Sequence, residues 1–189
     1  MKDLIAGCKQ KNPARQRELF GLFAPRMMTV ARRYAATTTE AEDILQEAFI
    51  KVFRSFDQFD ESKGALEAWI RRIVVNTAIQ HWRRRHQHFP ASPEECLPEN
   101  PVAAEADTLM DAEELLQLIA SLPPGFRVVF NLYAIEGCSH TEIATLLGIT
   151  ESTSRSQLAR ARKQLQEAVF SIQKNGMVRT ILKNIQNKL

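Results

Sequence analysis

The stretch around residues 88–107 constrains the fold more than any other part of the chain. Pro90, Pro93, Pro98 and Pro101 are interleaved there with Glu94, Glu95, Glu99 and Glu105, and no apolar periodicity crosses the segment. Proline removes a backbone donor and disfavours helix in the residue before it, so residues 88–108 are expected to form an extended, flexible linker. A chain of 189 residues is thereby cut into two pieces, each long enough for one small core. The expected domains are residues 1–87 and 109–170, followed by a basic amphipathic tail over 171–189.

Both pieces read as helical. Hydrophobic residues make up 44% of the chain, which is enough for real cores, but the aromatic fraction is 7% and glycine is scarce. Helix formers dominate instead, so the fold class is all-α, two small helical domains joined by a flexible linker. Lys and Arg outnumber Asp and Glu by 25 to 22, and a net charge of +3 does not announce a nucleic-acid binder; the placement of charge matters more. No stretch approaches the roughly 20 apolar residues needed to span a bilayer and the N-terminus has no long apolar core, so a cytoplasmic protein is expected without membrane insertion. Cys8, Cys96 and Cys138 lack CxxC spacing and read as reduced thiols.

In the first half, Ile44, Leu45, Ala48, Phe49, Val52 and Phe53 fall on one helix face after a capping box at Thr39-Glu40-Ala41-Glu42. A second helix is predicted over residues 66–84, with Trp69, Ile70, Ile73, Val74, Thr77, Ala78 and Ile79 inward. A third, carrying Leu19, Phe20, Leu22, Phe23, Met27, Met28, Val30 and Ala31, is expected to break or bend near Pro25. In the second half a helix over residues 109–122 is ended by Pro123-Pro124-Gly125. Another, over residues 126–135, stops at Glu136-Gly137.

Residues 139–158, SHTEIATLLGIT followed by ESTSRSQL, form a helix-turn-helix pattern. Ser139 and Glu142 make a capping box, Ala144 allows a close helix crossing, Gly148 supplies the positive backbone angle of the turn, Ile149 plugs the corner and Thr150 caps the second helix. On that helix Arg155, Ser156, Gln157 and Arg160 are expected to point outward, with Arg162 and Lys163 a turn later and Leu158, Ala161 and Leu165 inward. Arg to guanine, Gln to adenine and Ser to either are the pairings a major-groove reader uses, and further cations meet phosphates.

Together these residues resemble the extracytoplasmic-function (ECF) sigma factors of the sigma-70 family, over about residues 19–168. AEDILQEAFIKVF at 41–53 is similar to region 2.2, and the resemblance implies that Asp43, Gln46, Glu47, Ile50 and Lys51, off the buried stripe, bind the clamp of the core polymerase's largest subunit. WIRRIVVNTAIQHWRRR at 69–85 is similar to region 2.4, which reads the −10 element. On that likeness Lys63, Arg71, Arg72, Asn76, Gln80, Arg83 and Arg84 are the −10 residues, and the loop over residues 59–65, with Lys63 and Gly64, shapes a pocket for a flipped base. No carboxylate lies between Glu67 and Glu94, so the helix should present an uncompensated positive field.

LPPGFR at 122–127 and the helix-turn-helix match region 4, which binds the −35 element. The resemblance gives Ser139, His140, Thr141, Thr153, Arg155, Ser156, Gln157, Arg160, Arg162 and Lys163 as its DNA residues. Ser154 departs from the pattern, since many relatives carry an aliphatic residue there. The expected function is promoter-specific transcription initiation, with core polymerase, promoter DNA and an anti-sigma protein as partners and with no catalytic residue, metal or cofactor.

Two other classes fit only part of the chain. A dimeric regulator fits the second half, but the first half lacks the alternating strands and helices of a receiver domain. A metal protein or enzyme would draw on His81, His86, His88 and Cys96, whose spacing matches no strong zinc signature, and no phosphate loop or catalytic carboxylate pair accompanies them.

Overall fold

The computed structural model describes the backbone of residues 1–85 and 112–186, and no strand occurs among them. The chain divides into two compact units, Met1–Pro90 and Ala91–Leu189. The expected linker, residues 88–108, lies outside the described residues.

Four helices build the N-terminal unit, one more than the apolar pattern predicts: α1 Lys2–Lys9, α2 Pro13–Arg32, α3 Thr38–Arg54 and α4 Leu66–Arg85. Helix α1 buries Leu4, Ile5 and Cys8 against α2, where burial also pushes the Cys8 thiol's pKa up. Helix α2 begins where Asn12 accepts hydrogen bonds from the N–H groups of Ala14 and Arg15, with Pro13 supplying a pre-set backbone angle. It runs unbroken through Pro25. Gly21 and Pro25 both face solvent, so the carbonyl that loses its intrahelical donor is open to water.

Helix α3 starts two residues earlier than predicted. Thr37, not Thr39, is the cap, accepting from Glu40 N–H at 3.1 Å. The Glu40 carboxylate reaches back to the N–H of Ala36 and also meets Arg85 on α4. The core lies among α2, α3 and α4, filled by Leu19, Met27, Ile44, Val52, Ile70 and Val74. Trp82 and Val75 are buried where periodicity favoured Trp69 and Ile73, which are half-buried; Phe20 and Leu22 are exposed. Helix α4 therefore sits rotated relative to its predicted phase.

The C-terminal unit holds α5 Ala112–Ser121, α6 Pro124–Phe130, α7 His140–Leu147 and α8 Glu151–Gln186. Pro124 opens α6 at its first position instead of only ending α5, and Gly125 is buried inside it. Helix α6 widens into one π turn, Asn131–Ile135, that closes at Glu136 and Gly137. Helix α8 continues through residues 171–186 as a single helix, so the predicted tail is not a separate element.

Candidate nucleic-acid and polymerase-binding surfaces

The helix-turn-helix follows from local chemistry. The Ser139 hydroxyl accepts from Glu142 N–H at 3.3 Å and Glu142 accepts from Ser139 N–H at 2.8 Å, a reciprocal cap that holds the Glu142 carboxyl below its ordinary pKa. Gly148 ends α7 at φ 70°, ψ 35°, the left-handed geometry that favours glycine. Thr150 then accepts from Thr153 N–H at 3.1 Å as α8 begins.

The inner stripe of α8 is Ser154, Gln157, Leu158 and Ala161, the spacing i, i+3, i+4, i+7. Gln157, expected to read bases, is thus 8% exposed and faces the core of its own unit. Ser154 is fully buried, and its hydroxyl pairs with His140 Nδ1 at 2.9 Å. A polar contact thus lies at the crossing of α7 and α8.

Other predicted residues divide between exposed positions and supporting contacts. Arg155 projects into solvent, its guanidinium donating to Glu151 at 3.0 Å, an exposed pair that costs little to break. Glu151 also accepts from the Thr141 hydroxyl at 2.8 Å, which ties α7 to the start of α8. Ser156 is half-buried, its hydroxyl on the Thr153 carbonyl; Arg160 is half-buried; Lys163 is exposed. Ser139, His140 and Thr153 are engaged in capping and helix crossing. Two surface contributors escaped the sequence reading. Ser152 is exposed beside Arg155, and Tyr133 stacks on His140 at 4.7 Å with the Arg162 guanidinium 5.6 Å from the Tyr133 ring centre. Only the cap chemistry around Thr150 could have pointed to Ser152.

In the N-terminal unit Arg72, Asn76, Gln80 and Arg83 are all exposed, at the i, i+4, i+8, i+11 spacing of one solvent face of α4. Arg71 is half-buried on the flank. The positive field is compensated at its C-terminal end, contrary to expectation, because α3 supplies carboxylates to the last turn of α4, where α4 has none of its own. Glu47 accepts from Lys51 at 2.6 Å and His81 at 2.7 Å and lies 3.6 Å from Arg84, while Glu40 holds Arg85. These contacts, led by the Lys51 hydrogen bond, lower the Glu47 pKa to about 2.

Lys51 also donates to Thr77 at 3.2 Å and Gln80 at 2.8 Å. Glu47 and Lys51 are therefore half-buried ties between α3 and α4, and Asp43, Gln46 and Ile50 make up the exposed part of the predicted polymerase face. Residues that were assigned to two separate surfaces meet in one network. His81 belongs to it as well, and among the described residues no group of three His, Cys, Asp or Glu side chains could hold a metal.

The loop before α4 is shaped by aromatic packing. Phe56, Phe59 and Trp69 lie 5.4–6.2 Å apart between ring centres, and Gly64 adopts φ 146°, where a side chain would be strained. Lys63 stands exposed, 3.7 Å from Asp60. Beside the loop opens a cleft of about 560 Å³ lined by Ile5, Leu22, Phe23, Phe59, Gly64 and Leu66 among others.

Comparison with known proteins places the chain in a family. Sigma-70 region 2 matches residues 19–88, and Sigma-70, region 4 matches residues 112–165. The chain is 36% identical over 156 residues to the ECF RNA polymerase sigma factor SigE of Mycolicibacterium smegmatis, covering 79% of this chain and 60% of that one. It is 33% identical over 142 residues to the ECF RNA polymerase sigma-E factor of Escherichia coli K12, covering 69% and 74%. A solved structure, the sigma factor RpoE of Bartonella quintana with the anti-sigma factor NepR, has a TM-score of 0.47 and 22% identity over 81% of this chain and 95% of that one. No described helix is long and apolar enough to cross a membrane. With both sigma regions present in order and relatives of one kind, the chain belongs to the ECF RNA polymerase sigma factors of the sigma-70 family, initiation factors that direct promoter-specific transcription.

Proposed function

We propose that this protein binds core polymerase in the cytoplasm through Asp43, Gln46 and Ile50 on α3 and contributes no chemistry of its own. The −10 element is read by the α4 stripe and the loop before it, with the cleft beside Gly64 taking an unstacked base. The −35 element is read by the start of α8, chiefly Ser152, Arg155 and Ser156, with Arg160, Arg162 and Lys163 toward phosphates. One observation carries this reading: on α4 Arg72, Asn76, Gln80 and Arg83 form an exposed stripe without a carboxylate, and Gln80 of that stripe is bonded to Lys51 of α3, the helix that carries the exposed Ile50. Two modest DNA interfaces on one polymerase-bound chain reinforce each other through effective concentration, so neither needs an extreme charge.

Ile50 is 44% exposed, an apolar side chain without cover on its own unit. A partner surface would bury it, and an anti-sigma protein seated on the same face would exclude the polymerase. Ile50→Lys is expected to weaken core binding about tenfold or more, the weight of one interface anchor, measured by fluorescence anisotropy with purified core. Unchanged affinity in both Ile50→Lys and Asp43→Arg would remove α3 from the interface.

A further inference from the structure

We infer that Lys51 locks the Gln80 carboxamide as a donor toward DNA, so that the promoter position it meets favours a base with acceptors only and disfavours adenine. The inference rests on the assignment of α4 to the −10 element.

An ammonium has three hydrogens and no acceptor. At Lys51 each has one partner: Glu47 Oε1 at 2.6 Å, Gln80 Oε1 at 2.8 Å and Thr77 Oγ1 at 3.2 Å. Because the ammonium only donates, the amide end facing it must be the oxygen; the flipped amide would set N–H against N–H. The bond is charge-assisted, and Lys51 swinging away from Gln80 would also give up its 2.6 Å bond to the Glu47 carboxylate. Thr77 is buried and fixes the third side of the clamp.

Gln80 itself is exposed on the Arg72–Asn76–Arg83 stripe, so its Nε2 hydrogens are the part left for a ligand. The favoured pairing of glutamine with adenine uses both ends of the amide, donating to N7 and accepting from N6. With Oε1 turned inward, the second half of that pairing is lost. Guanine, through N7 and O6, and thymine, through O4, offer only acceptors on the same edge. Lys51 is thus a positioning residue and Gln80 the group that meets the base.

The test is transcription by core polymerase carrying the full chain, on promoters randomised through the −10 element, with base preference at each position normalised within each variant. Wild type is expected to prefer guanine or thymine over adenine about fivefold at one position, the weight of one net hydrogen bond. Gln80→Ala flattens that position alone. Lys51→Met, which keeps the stem but releases Oε1, raises adenine there to parity. Gln80→Glu is on the surface, tolerates folding, and replaces the donors with acceptors, so it shifts the same position toward cytosine.

If Gln80→Ala flattens the position while Lys51→Met matches wild type, the locking is overturned and the α4 assignment stands. If Gln80→Ala weakens all sequences equally, Gln80 meets phosphate and the selection is overturned. If Gln80→Ala changes nothing, position 80 lies outside the DNA interface and both fall.

Discussion

Replacing Glu47 with Ala is expected to lower the unfolding free energy of the N-terminal unit by about 2–4 kcal/mol, because one carboxylate holds Lys51 and His81 and neighbours Arg84. Lys51 would be left half-buried with its charge unpaired, which costs more than the loss of an exposed ion pair. Both tryptophans, Trp69 and Trp82, lie in this unit, so tryptophan fluorescence during urea unfolding of the full chain reports it alone. The effect also depends on pH. Above about 4.5, the ordinary carboxyl value, Glu47 is ionised in folded and unfolded chains and its contribution is complete. As pH falls toward 2, the unfolded chain takes up the proton first, and stability drops by about 2 kcal/mol after allowance for a side chain 30% exposed. Glu47→Gln should remove this part of the acid slope. An identical slope in wild type and Glu47→Gln would show that the network contributes nothing.

Arg155→Ala is expected to cost about 1–3 kcal/mol, roughly 5- to 150-fold, in transcription from promoters with an intact −35 element. The loss should be confined to one base pair when the element is scanned by single substitutions. Gln157→Ala provides the contrast. Its side chain lies on the inner stripe of α8, so the change should destabilise the C-terminal unit and leave base preferences unaltered. A changed preference at one −35 position in Gln157→Ala would mean that α8 is rotated from the orientation described.

The contrast between those two residues shows what the sequence made legible. Capping by Ser139, the left-handed turn at Gly148 and the basic character of α8 are local, each readable within a few residues. The facing of α8 is not local, because it depends on where the helix starts and how it crosses α7. Ser154 and Gln157 look like surface residues by type, yet they occupy the inner stripe, where the Ser154 hydroxyl is bonded to His140. Helix α1 escaped for a different reason. Its apolar residues Leu4, Ile5 and Cys8 are too few to make a period stand out among lysines and a glycine.

The same limit governs the first unit. The apolar stripe of α3 was plain from spacing, whereas the exposed residues of α4 followed from resemblance and its periodicity placed Trp69 and Ile73 where Val75 and Trp82 are buried. The Glu47–Lys51–His81–Gln80 network joins residues about thirty positions apart, and no pattern within either helix reveals it. Counting charges along α4 alone therefore overstated the positive field of its last turn, since the carboxylates that meet Arg84 and Arg85 belong to α3. The polymerase and −10 assignments, drawn as separate sets from resemblance, are joined in the fold through Lys51 to Gln80 and Glu47 to Arg84.

The most direct measurement is run-off transcription with purified bacterial core polymerase, the full-length chain and a library of genomic promoter fragments. Promoter-dependent transcripts should appear only when chain and core are combined, and substitutions in the −10 and −35 elements should each reduce them. Failure to bind core, with sequence-specific DNA binding by the chain alone as a dimer, would contradict the assignment of the two units to one polymerase-bound reader.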